Sequence, residues 1–365
     1  MSRNWNELVK RHSAFWNCAP VYRPLICSIH KAYQDTELVA RLVGERELLP
    51  DRVDPRPLLA VYDEIAQARE SIGDDMLATA EPLLGIPWLE AMCGCRVLVP
   101  DGKSLWPEPP ENNRSIHDLS FSANNPWFVK LCQVIEQVVD HVQGRYAVSM
   151  SHLRGPTDIL VALLGSQQFL TLLYDDPERI EHLAKQAAEV WVQVARAEEK
   201  LVPAFRDGFG IRQFGLWSPE RSVWLQDDTS AMMSLRHYCK FFLKPMETMS
   251  VFPYGVLHLH APSIHLAETF ATVPNIRAIN VYFDSQTVTV VSAMPTLKRL
   301  QALHMPLVLA KDVYQGFTLE EYSEILEHLS PQGLSVHLKA ESIEEGRAVM
   351  GRVSELAHAS KGASV

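Results

Sequence analysis

Eight short apolar runs, spaced along the 365-residue chain, limit its fold more than any other feature of the sequence. Each run has the length and composition of a buried strand. The longer segments between them carry apolar residues at three- and four-residue spacing, which predicts helices over Pro177–Leu201, Ser234–Ser250 and Thr318–Leu329. The predicted strands are Leu25–Ser28, Met76–Ala80, Ala147–Ser151, Val223–Gln226, Val256–His260, Ala278–Phe283, Leu307–Ala310 and Leu334–Leu338.

Strands that alternate with helices predict a parallel α/β fold, because a right-handed helical crossover is the usual connection between parallel strands. Eight of them are enough to close a single (β/α)8 TIM barrel. We therefore assign residues 76–358 to the barrel, with a first strand from residues 23–29. Residues 1–75 are predicted to add N-terminal helices packed on the barrel, and residues 359–365 to form a flexible tail. A doubly wound open sheet is the competing architecture, but no glycine-rich phosphate loop follows a predicted strand.

The charge balance argues against a nucleic-acid partner. Lys and Arg total 34 against 44 Asp and Glu, which gives a formal net charge of −10, whereas nucleic-acid binding depends on Lys and Arg that neutralise phosphates. The most apolar stretch, Asp158–Tyr174, is interrupted by Gly165–Gln168, so we predict no membrane span. Residues 1–10 lack the apolar core of a signal peptide, and the 6 cysteines have no metal-finger spacing. These features favour a cytoplasmic protein with reduced thiols.

Polar side chains follow almost every predicted strand. In a parallel barrel the carboxyl ends of the strands meet at one face, where catalytic and binding residues lie. We therefore expect several of these side chains to bind a small-molecule substrate. The predicted substrate-binding residues are His30, Glu81, His152, Arg154 and Lys311.

The sharpest pattern is the pair of histidines in Gly255-Val-Leu-His-Leu-His-Ala261. Side chains alternate along a strand, so His258 and His260 project to the same face and can bind one ion. His337 on the last predicted strand and Asp284 after the next strand complete a predicted site for zinc or another divalent metal. The alternative is that these histidines lie in the core or bind substrate without a metal.

Two adjacent carboxylates, Asp227 and Asp228, end another predicted strand. They are the candidate catalytic acid, base or ligand, since one of them can point into the mouth of the barrel. The other reading is that Asp228 or Thr229 only begins the following helix. Cys93 and Cys95 form a Cys-x-Cys pair, which in an apolar cytoplasmic setting indicates inert buried thiols.

Several short motifs together resemble the uroporphyrinogen decarboxylase superfamily, including its corrinoid-dependent methyltransferase branch. The resemblance covers most of the chain from about residue 74 onward, and it implies a (β/α)8 barrel. It rests on the order and spacing of the motifs and on no single one of them. They are Ile86-Pro-Trp88, Cys93-Gly-Cys95, Trp106-Pro-Glu-Pro109, Leu153-Arg-Gly-Pro-Thr157, Leu164-Gly165, Tyr174-Asp-Asp-Pro-Glu178, Asp227-Asp228 with Ser234, and Leu257-His-Leu-His260.

The methyltransferase branch holds zinc with a His-x-Cys pair on one strand and a later cysteine. By this resemblance His258 lies at the histidine position, while His260 and His337 replace the two cysteines, and Asp284 is near an acidic ligand of some members. Neutral imidazoles leave more positive charge on the metal than thiolates do, which favours oxygen over thiol ligands. The resemblance therefore implies methyl transfer between a small non-thiol substrate and a corrinoid protein, by a monomer or homodimer.

Other functions remain open at this stage. A metal-free decarboxylase or lyase of the same family would act on a tetrapyrrole or another polycarboxylate through Arg23, Arg154 and Lys311. However, Val21–Lys31 lacks the arginine-rich segment with which uroporphyrinogen decarboxylases grip carboxylates. A zinc hydrolase and a nonenzymatic binder of a corrinoid or tetrapyrrole are the remaining alternatives.

Overall fold

A computed structural model describes residues 4–29, 46–82, 85–100, 104–111, 113–284, 287–311 and 316–362. All eight predicted runs contain a strand. The strands are β1 (Leu25–Ile29), β2 (Glu47–Leu48), β3 (Thr79–Ala80), β4 (Arg96–Leu98), β5 (Trp106–Glu108), β6 (Ala147–Val148), β7 (Phe209–Ile211), β8 (Leu216–Ser218), β9 (Ser222–Gln226), β10 (Tyr254–His260), β11 (Ile276–Phe283), β12 (Leu307–Lys311) and β13 (Leu334–Lys339).

Helices separate most of these strands and cover their outer faces. They are α1 (Trp5–Trp16), α2 (Arg56–Ile72), α3 (Trp88–Met92), α4 (Pro126–Val142), α5 (Pro156–Leu164), α6 (Ser166–Asp175), α7 (Pro177–Glu199), α8 (Leu235–Phe241), α9 (Leu243–Met249), α10 (Ala267–Phe270), α11 (Val290–Ala302), α12 (Leu319–His328) and α13 (Ile343–Gly362).

A parallel sheet of 6 strands, in the order β1-β13-β12-β11-β10-β9, forms the centre of the protein. β3 and β6 form a separate parallel pair, and the antiparallel hairpin β7–β8 contacts both β6 and β9. The eight predicted strands are therefore present as an arc of 6 and a pair of 2. In the described ranges, strand ladders do not close them into one continuous eight-stranded barrel.

The break between β1 and β3 has a physical cause in two carboxylates. The backbone N–H groups of Ile26 and Ser28, both in β1, donate to the side chains of Asp75 and Asp74 at 2.8 Å each. These donors are consequently not available to a backbone ladder with β3. Only one backbone bond, from Asp75 N to Ile26 O at 2.9 Å, connects the two segments directly at this point.

The interior of the arc changes in character from its amino end to its carboxyl end. Near the amino end, Trp224, Val256 and Ala278 pack with Phe15 and Trp16 of α1 in an apolar cluster. Two residues further along their strands, inward positions carry Gln226, His258 and Asn280 instead. The apolar layer lies nearer the amino ends of the strands and packs beneath the polar layer. The polar side chains therefore lie at the carboxyl ends.

The predicted helix over Ser234–Ser250 is wrong in one respect, because the structure breaks it at Phe242 into α8 and α9. Pro245 explains the break, since a proline inside a helix lacks its N–H and clashes with the carbonyl four residues earlier, here that of Phe241. In the described part of the chain no single helix is long and apolar enough to cross a membrane. α5 and α6 reach the necessary length and composition only as a pair bent by 107°.

Candidate metal centre

Three side chains converge at the carboxyl ends of β9 and β10. His258 pairs with Gln226 of β9 on one side and with Asn280 of β11 on the other. Strand alternation puts His260 on the same inner face, and Asp228 is the second residue after β9. The ligating atoms of Asp228, His258 and His260 all lie within 4.8 Å of one another, and this is the one such group in the described residues.

Asn280 determines which nitrogen of His258 is available. The amide nitrogen of Asn280 donates to the Val308 carbonyl at 2.9 Å, so its Oδ1 must be the atom that faces His258. His258 Nδ1 lies 2.6 Å from that oxygen and therefore donates to it. Burial lowers the pKa of His258, which keeps the ring neutral. The remaining nitrogen, Nε2, is thus an unprotonated donor, as metal-binding histidines require.

His260 lies between two carboxylates. Its Nδ1 is 2.6 Å from Asp284 Oδ2 and its Nε2 is 3.3 Å from Asp228 Oδ2. Although burial opposes the charge, the two carboxylates raise the pKa of His260 to about 9. A divalent ion at Nε2 would replace the proton there and leave Nδ1–H donating to Asp284, the usual arrangement of a carboxylate behind a metal-binding histidine.

Asp228 has one oxygen without a partner. Its Oδ2 accepts from the Gln226 amide and contacts His260, whereas its Oδ1 is buried and has no hydrogen bond to any described residue. Burial acts to raise the pKa of Asp228, but the neighbouring histidines outweigh it and lower the pKa, so the group is ionised. A buried, unpaired carboxylate oxygen is costly unless a cation satisfies it.

These donors fit a zinc ion. Two imidazole nitrogens and one carboxylate oxygen are three protein ligands of the kind that catalytic zinc sites use, with the fourth position open to water or substrate. Asn280 and Asp284 orient the two rings from behind. The arrangement therefore has both the ligands and the supporting hydrogen bonds of a divalent metal site.

The other two predicted ligands, His337 and Asp284, lie outside the group of three. His337 lies on β13, outside the group of three, with a buried Nε2 that has no hydrogen-bond partner in the described ranges. Burial, together with the charge of Arg69, lowers its pKa to about 3, so the ring is neutral. Asp284 touches the group only through its bond to His260.

The two predicted catalytic aspartates are separated by their surroundings. Only Asp228 faces the histidines. Asp227 is buried at 1% exposure and accepts hydrogen bonds from Thr157 N at 2.8 Å, Thr157 Oγ1 at 2.6 Å and Tyr238 Oη at 2.7 Å. Burial raises its pKa in spite of these bonds. Of the residues that the sequence pattern offered as acid, base or ligand, Asp228 joins the two histidines in a group that could hold a metal, and His337 does not.

His152 and Arg154 lie beside the centre. The ring of His152 stacks on Trp224 with centroids 3.9 Å apart, and Trp224 in turn contacts His258 at 5.6 Å. Burial, followed by the nearby charge of Arg154, lowers the pKa of His152 to about 3. Arg154 pairs with the buried Glu90 at 3.2 Å, and its charge interacts with Asp228.

The other predicted substrate-binding residues are placed differently. Glu81 accepts a hydrogen bond from His152 N at 3.2 Å and thus supports the backbone of that residue. Lys311 is paired with Glu321 at 2.5 Å. His30 lies outside the described residues. Arg23, which the decarboxylase alternative requires for substrate carboxylates, is bonded instead to the buried Asp75.

Asn280 and Asp158 were missed by the sequence analysis. A signal existed for Asn280, because it is a single amide between Ile279 and Val281 in a strand that is otherwise apolar. No comparable signal existed for Asp158. It lies in the first turn of α5, where an acidic residue is ordinary.

Comparison with solved structures gives the fold class. A methyltransferase from Methanosarcina mazei is similar over 96% of this chain and 98% of its own, with a TM-score of 0.64 and 13% identity. A B12-independent methionine synthase from a Shewanella species, solved with selenomethionine, is similar over 93% of this chain and 98% of its own, with a TM-score of 0.52 and 11% identity. No known protein-family profile and no curated protein matches the sequence.

The chain thus shares its overall fold with these two solved structures. This confirms the resemblance stated from the motifs at the level of the fold. Identities of 13% and 11% carry the architecture and not the reaction. The chemistry must therefore be argued from the group at Asp228, His258 and His260.

Proposed function

We propose that this protein is a metal-dependent methyltransferase that moves a methyl group between a small substrate and a corrinoid protein. The observation that carries the proposal is the convergence of Asp228, His258 and His260 within 4.8 Å at the carboxyl ends of the strands. That face is where enzymes built on parallel barrels place their chemistry. We also propose that the eight strands close into a (β/α)8 barrel, with this centre at its mouth.

Zinc is the proposed metal. Bound there, it would act as a Lewis acid that polarises the heteroatom of the substrate. His258, held neutral by Asn280, and His260, backed by Asp284, would donate their Nε2 atoms, and Asp228 would donate an oxygen. With no thiolate in this set, an oxygen substrate fits better than a thiol, because harder ligands suit a more positive ion.

His152 and Arg154 are the residues that we propose for binding the substrate. His152 Nε2 is buried and has no hydrogen-bond partner in the described part of the chain, so a substrate N–H or O–H can donate to it. Its ring is held in place by the stack on Trp224. Arg154 offers a partly exposed guanidinium at the same edge, with Glu90 fixing one of its nitrogens.

The corrinoid is proposed to arrive on a partner protein at the open side of the centre. The side chains of Asp228, His260 and Asp284 are each about a third exposed, at 31%, 30% and 34%. A corrinoid carried by another protein can therefore reach a substrate bound at this metal centre without unfolding the strands. The corrinoid partner is proposed from the resemblance to the corrinoid-dependent methyltransferases.

Metal content is the first test. Protein purified without a histidine tag should contain about one zinc per chain, and the double variant His258→Ala with His260→Ala should contain none. His328→Ala, an exposed histidine near the end of α12, is the matched control and should keep its zinc. A wild-type protein that takes up no zinc, even when zinc is supplied, overturns the proposal.

Methyl transfer is the second test. Reduced cobalamin in the cob(I) state serves as a probe for the protein-bound corrinoid, because its absorption spectrum changes when it is methylated. We expect zinc-loaded protein to methylate it from methyl ethers, and the double variant to be inactive. Methylation from thioethers alone would contradict the expected preference for oxygen substrates.

A further inference from the structure

Two carboxylates from distant parts of the chain, the partly buried Asp158 and the buried Asp227, each bind backbone next to the other residue, beside the metal group. Asp158, in the first turn of α5, accepts from Asp228 N at 3.0 Å through Oδ2 and from Thr229 N at 2.8 Å through Oδ1. The hydroxyl of Thr229 donates to the same Oδ1 at 2.8 Å. The side chain of Asp158 thus holds the backbone that immediately follows β9.

Asp227 makes the reciprocal connection. Its Oδ1 accepts from the backbone N–H and the hydroxyl of Thr157, at 2.8 and 2.6 Å, and Thr157 directly precedes Asp158. Its Oδ2 accepts from Tyr238 Oη at 2.7 Å. The start of α5 and the end of β9 are therefore joined crosswise, each by a carboxylate from the other. We call Asp158 and Asp227 the crossed pair.

Gly155 permits this close approach. A Cβ atom at this position would lie 2.3 Å from Gln226 O and 2.7 Å from Asp227 Oδ1, which is too close for any side chain. The chain before α5 therefore lies directly against the end of β9. The glycine and the crossed pair together fix the distance between these two elements.

The orientation of Asp228 needs such support. Its own side chain has contacts only through Oδ2, to Gln226 and His260, while Oδ1 has no described partner. Contacts through one oxygen alone leave a carboxylate less restrained than contacts through both oxygens. The five hydrogen bonds that the crossed pair makes to residues 157, 228 and 229 restrain the backbone from which the carboxylate projects.

We propose that the crossed pair is a positioning device that directs Asp228 toward His258 and His260. This inference rests on the proposed metal site. Asp158 and Asp227 do not touch the metal or the substrate. They act through the backbone of Asp228, and removal of a group that orients a metal ligand lowers metal affinity by about 10- to 100-fold.

Two conservative variants separate positioning from general support. In Asp158→Asn, either orientation of the amide turns its NH2 group toward a backbone N–H, of Asp228 or of Thr229, so at least one bond is lost. In Asp227→Asn, the amide oxygen can still face Thr157 while the NH2 donates to the Tyr238 oxygen. We therefore expect zinc affinity to fall about 10- to 100-fold in Asp158→Asn and less than about 3-fold in Asp227→Asn.

The measurement is zinc affinity by competition with a chromophoric chelator. Asp176→Ala is the control, because it removes a carboxylate that caps α7 at a similar position in a helix, away from the site. It should lower stability without changing zinc affinity. Thr229→Val, which removes only the hydroxyl bond, gives a milder variant with a small loss of affinity should Asp158→Asn fail to fold. Equal zinc affinity in wild type, Asp158→Asn and Thr229→Val overturns the inference.

Hydrogen exchange provides a readout that does not depend on zinc. Exchange of the peptide covering residues 227–233 should accelerate in metal-free Asp158→Asn and remain unchanged in Asp176→Ala. If wild-type protein binds no zinc, the proposed function fails and this exchange alone judges whether the crossed pair holds Asp228. Unchanged exchange in Asp158→Asn then overturns the inference as well.

Discussion

The two ends of the parallel sheet differ in how their aspartate and histidine side chains are paired. At the amino end, Asp75 is bonded to Arg11 and Arg23, and both ring nitrogens of His12 are bonded to backbone groups of Asp75 and Trp217. At the carboxyl end, Asp228 Oδ1 and His152 Nε2 are buried without described partners.

This difference distinguishes scaffold from site. Buried polar groups whose only task is structural are satisfied by the protein itself. Groups that bind a metal or a substrate lack a partner in the free protein. The free-energy cost of leaving them unpaired is offset by favourable interactions elsewhere in the fold. Residue type alone does not separate the ends, because each has aspartate, histidine and arginine. The following predictions test whether the two ends respond differently to substitution.

The largest effect is expected at the amino end, for Asp75→Asn. The substitution leaves the guanidinium groups of Arg11 and Arg23 buried without a counter-charge, and breaking a buried pair in this way costs about 3–5 kcal/mol. Denaturant unfolding measures the loss, and zinc content should not change. Arg56→Ala, which removes an exposed pair with Asp54, is the control and should leave the free energy of unfolding close to that of wild type. A loss of zinc without a loss of stability in Asp75→Asn would show that the amino end serves the site and not the scaffold.

A pH dependence of stability is expected from Glu198 of α7, which lies under the carboxyl end. Its Oε2 accepts from Ser151 N at 2.7 Å, and burial raises its pKa to about 7. Because the folded protein holds this proton more tightly than the unfolded chain, where the pKa is about 4.5, stability is present below pH 4.5 and lost as the pH rises through 7. The loss is about 3 kcal/mol at most.

Glu198→Gln isolates this contribution. The amide oxygen can still accept from Ser151 N, and no charge forms at high pH. We expect the variant to be more stable than wild type at pH 8 and the difference to shrink toward pH 4.5, as measured by urea unfolding over that range. Parallel curves for the two proteins across the whole range would show that Glu198 has an ordinary pKa.

The sequence was sufficient for the alternation of strands and helices because strand and helix periodicity are local properties. β9 to β13 start and end within about two residues of the predicted runs. Pro245, also visible in the sequence, could have predicted the break between α8 and α9. The break between β1 and β3 could not be predicted, since it depends on Asp74 and Asp75 accepting from the N–H groups of β1, which is distant in sequence.

The site was predictable only in part, for a similar reason. The spacing of His258 and His260 fixes their common face, and the position of Asp228 after β9 places it beside them. Which of Asp227 and Asp228 faces inward depends on Thr157 and Tyr238, which are remote in sequence. The roles of Asn280 and Asp158 depend likewise on hydrogen bonds to other elements.

At the carboxyl end, Asn280→Leu should weaken zinc binding with a smaller effect on stability. Leucine has the same branched shape but cannot accept from His258 Nδ1, so the ring is free to place its proton on Nε2. Loss of such an orienting group lowers metal affinity by about 10- to 100-fold, which corresponds to about 1.4–2.7 kcal/mol. Chelator competition measures it, with Asn275→Leu as the control amide away from the site. Unchanged affinity in Asn280→Leu would mean that another group fixes the ring.

The smallest effect on stability is expected for Lys311→Met. This variant tests whether a charged residue at the carboxyl end can have a purely structural role. Lys311 is paired with Glu321, whose other oxygen accepts from Thr318 N at the start of α12. Since the pair is about a third exposed on each side, its loss should cost only about 0–1 kcal/mol. Zinc affinity and methyl transfer should stay at the wild-type level. Loss of activity with intact stability would place Lys311 among the substrate-binding residues, and the contrast between paired scaffold and unpaired site would then fail at this position.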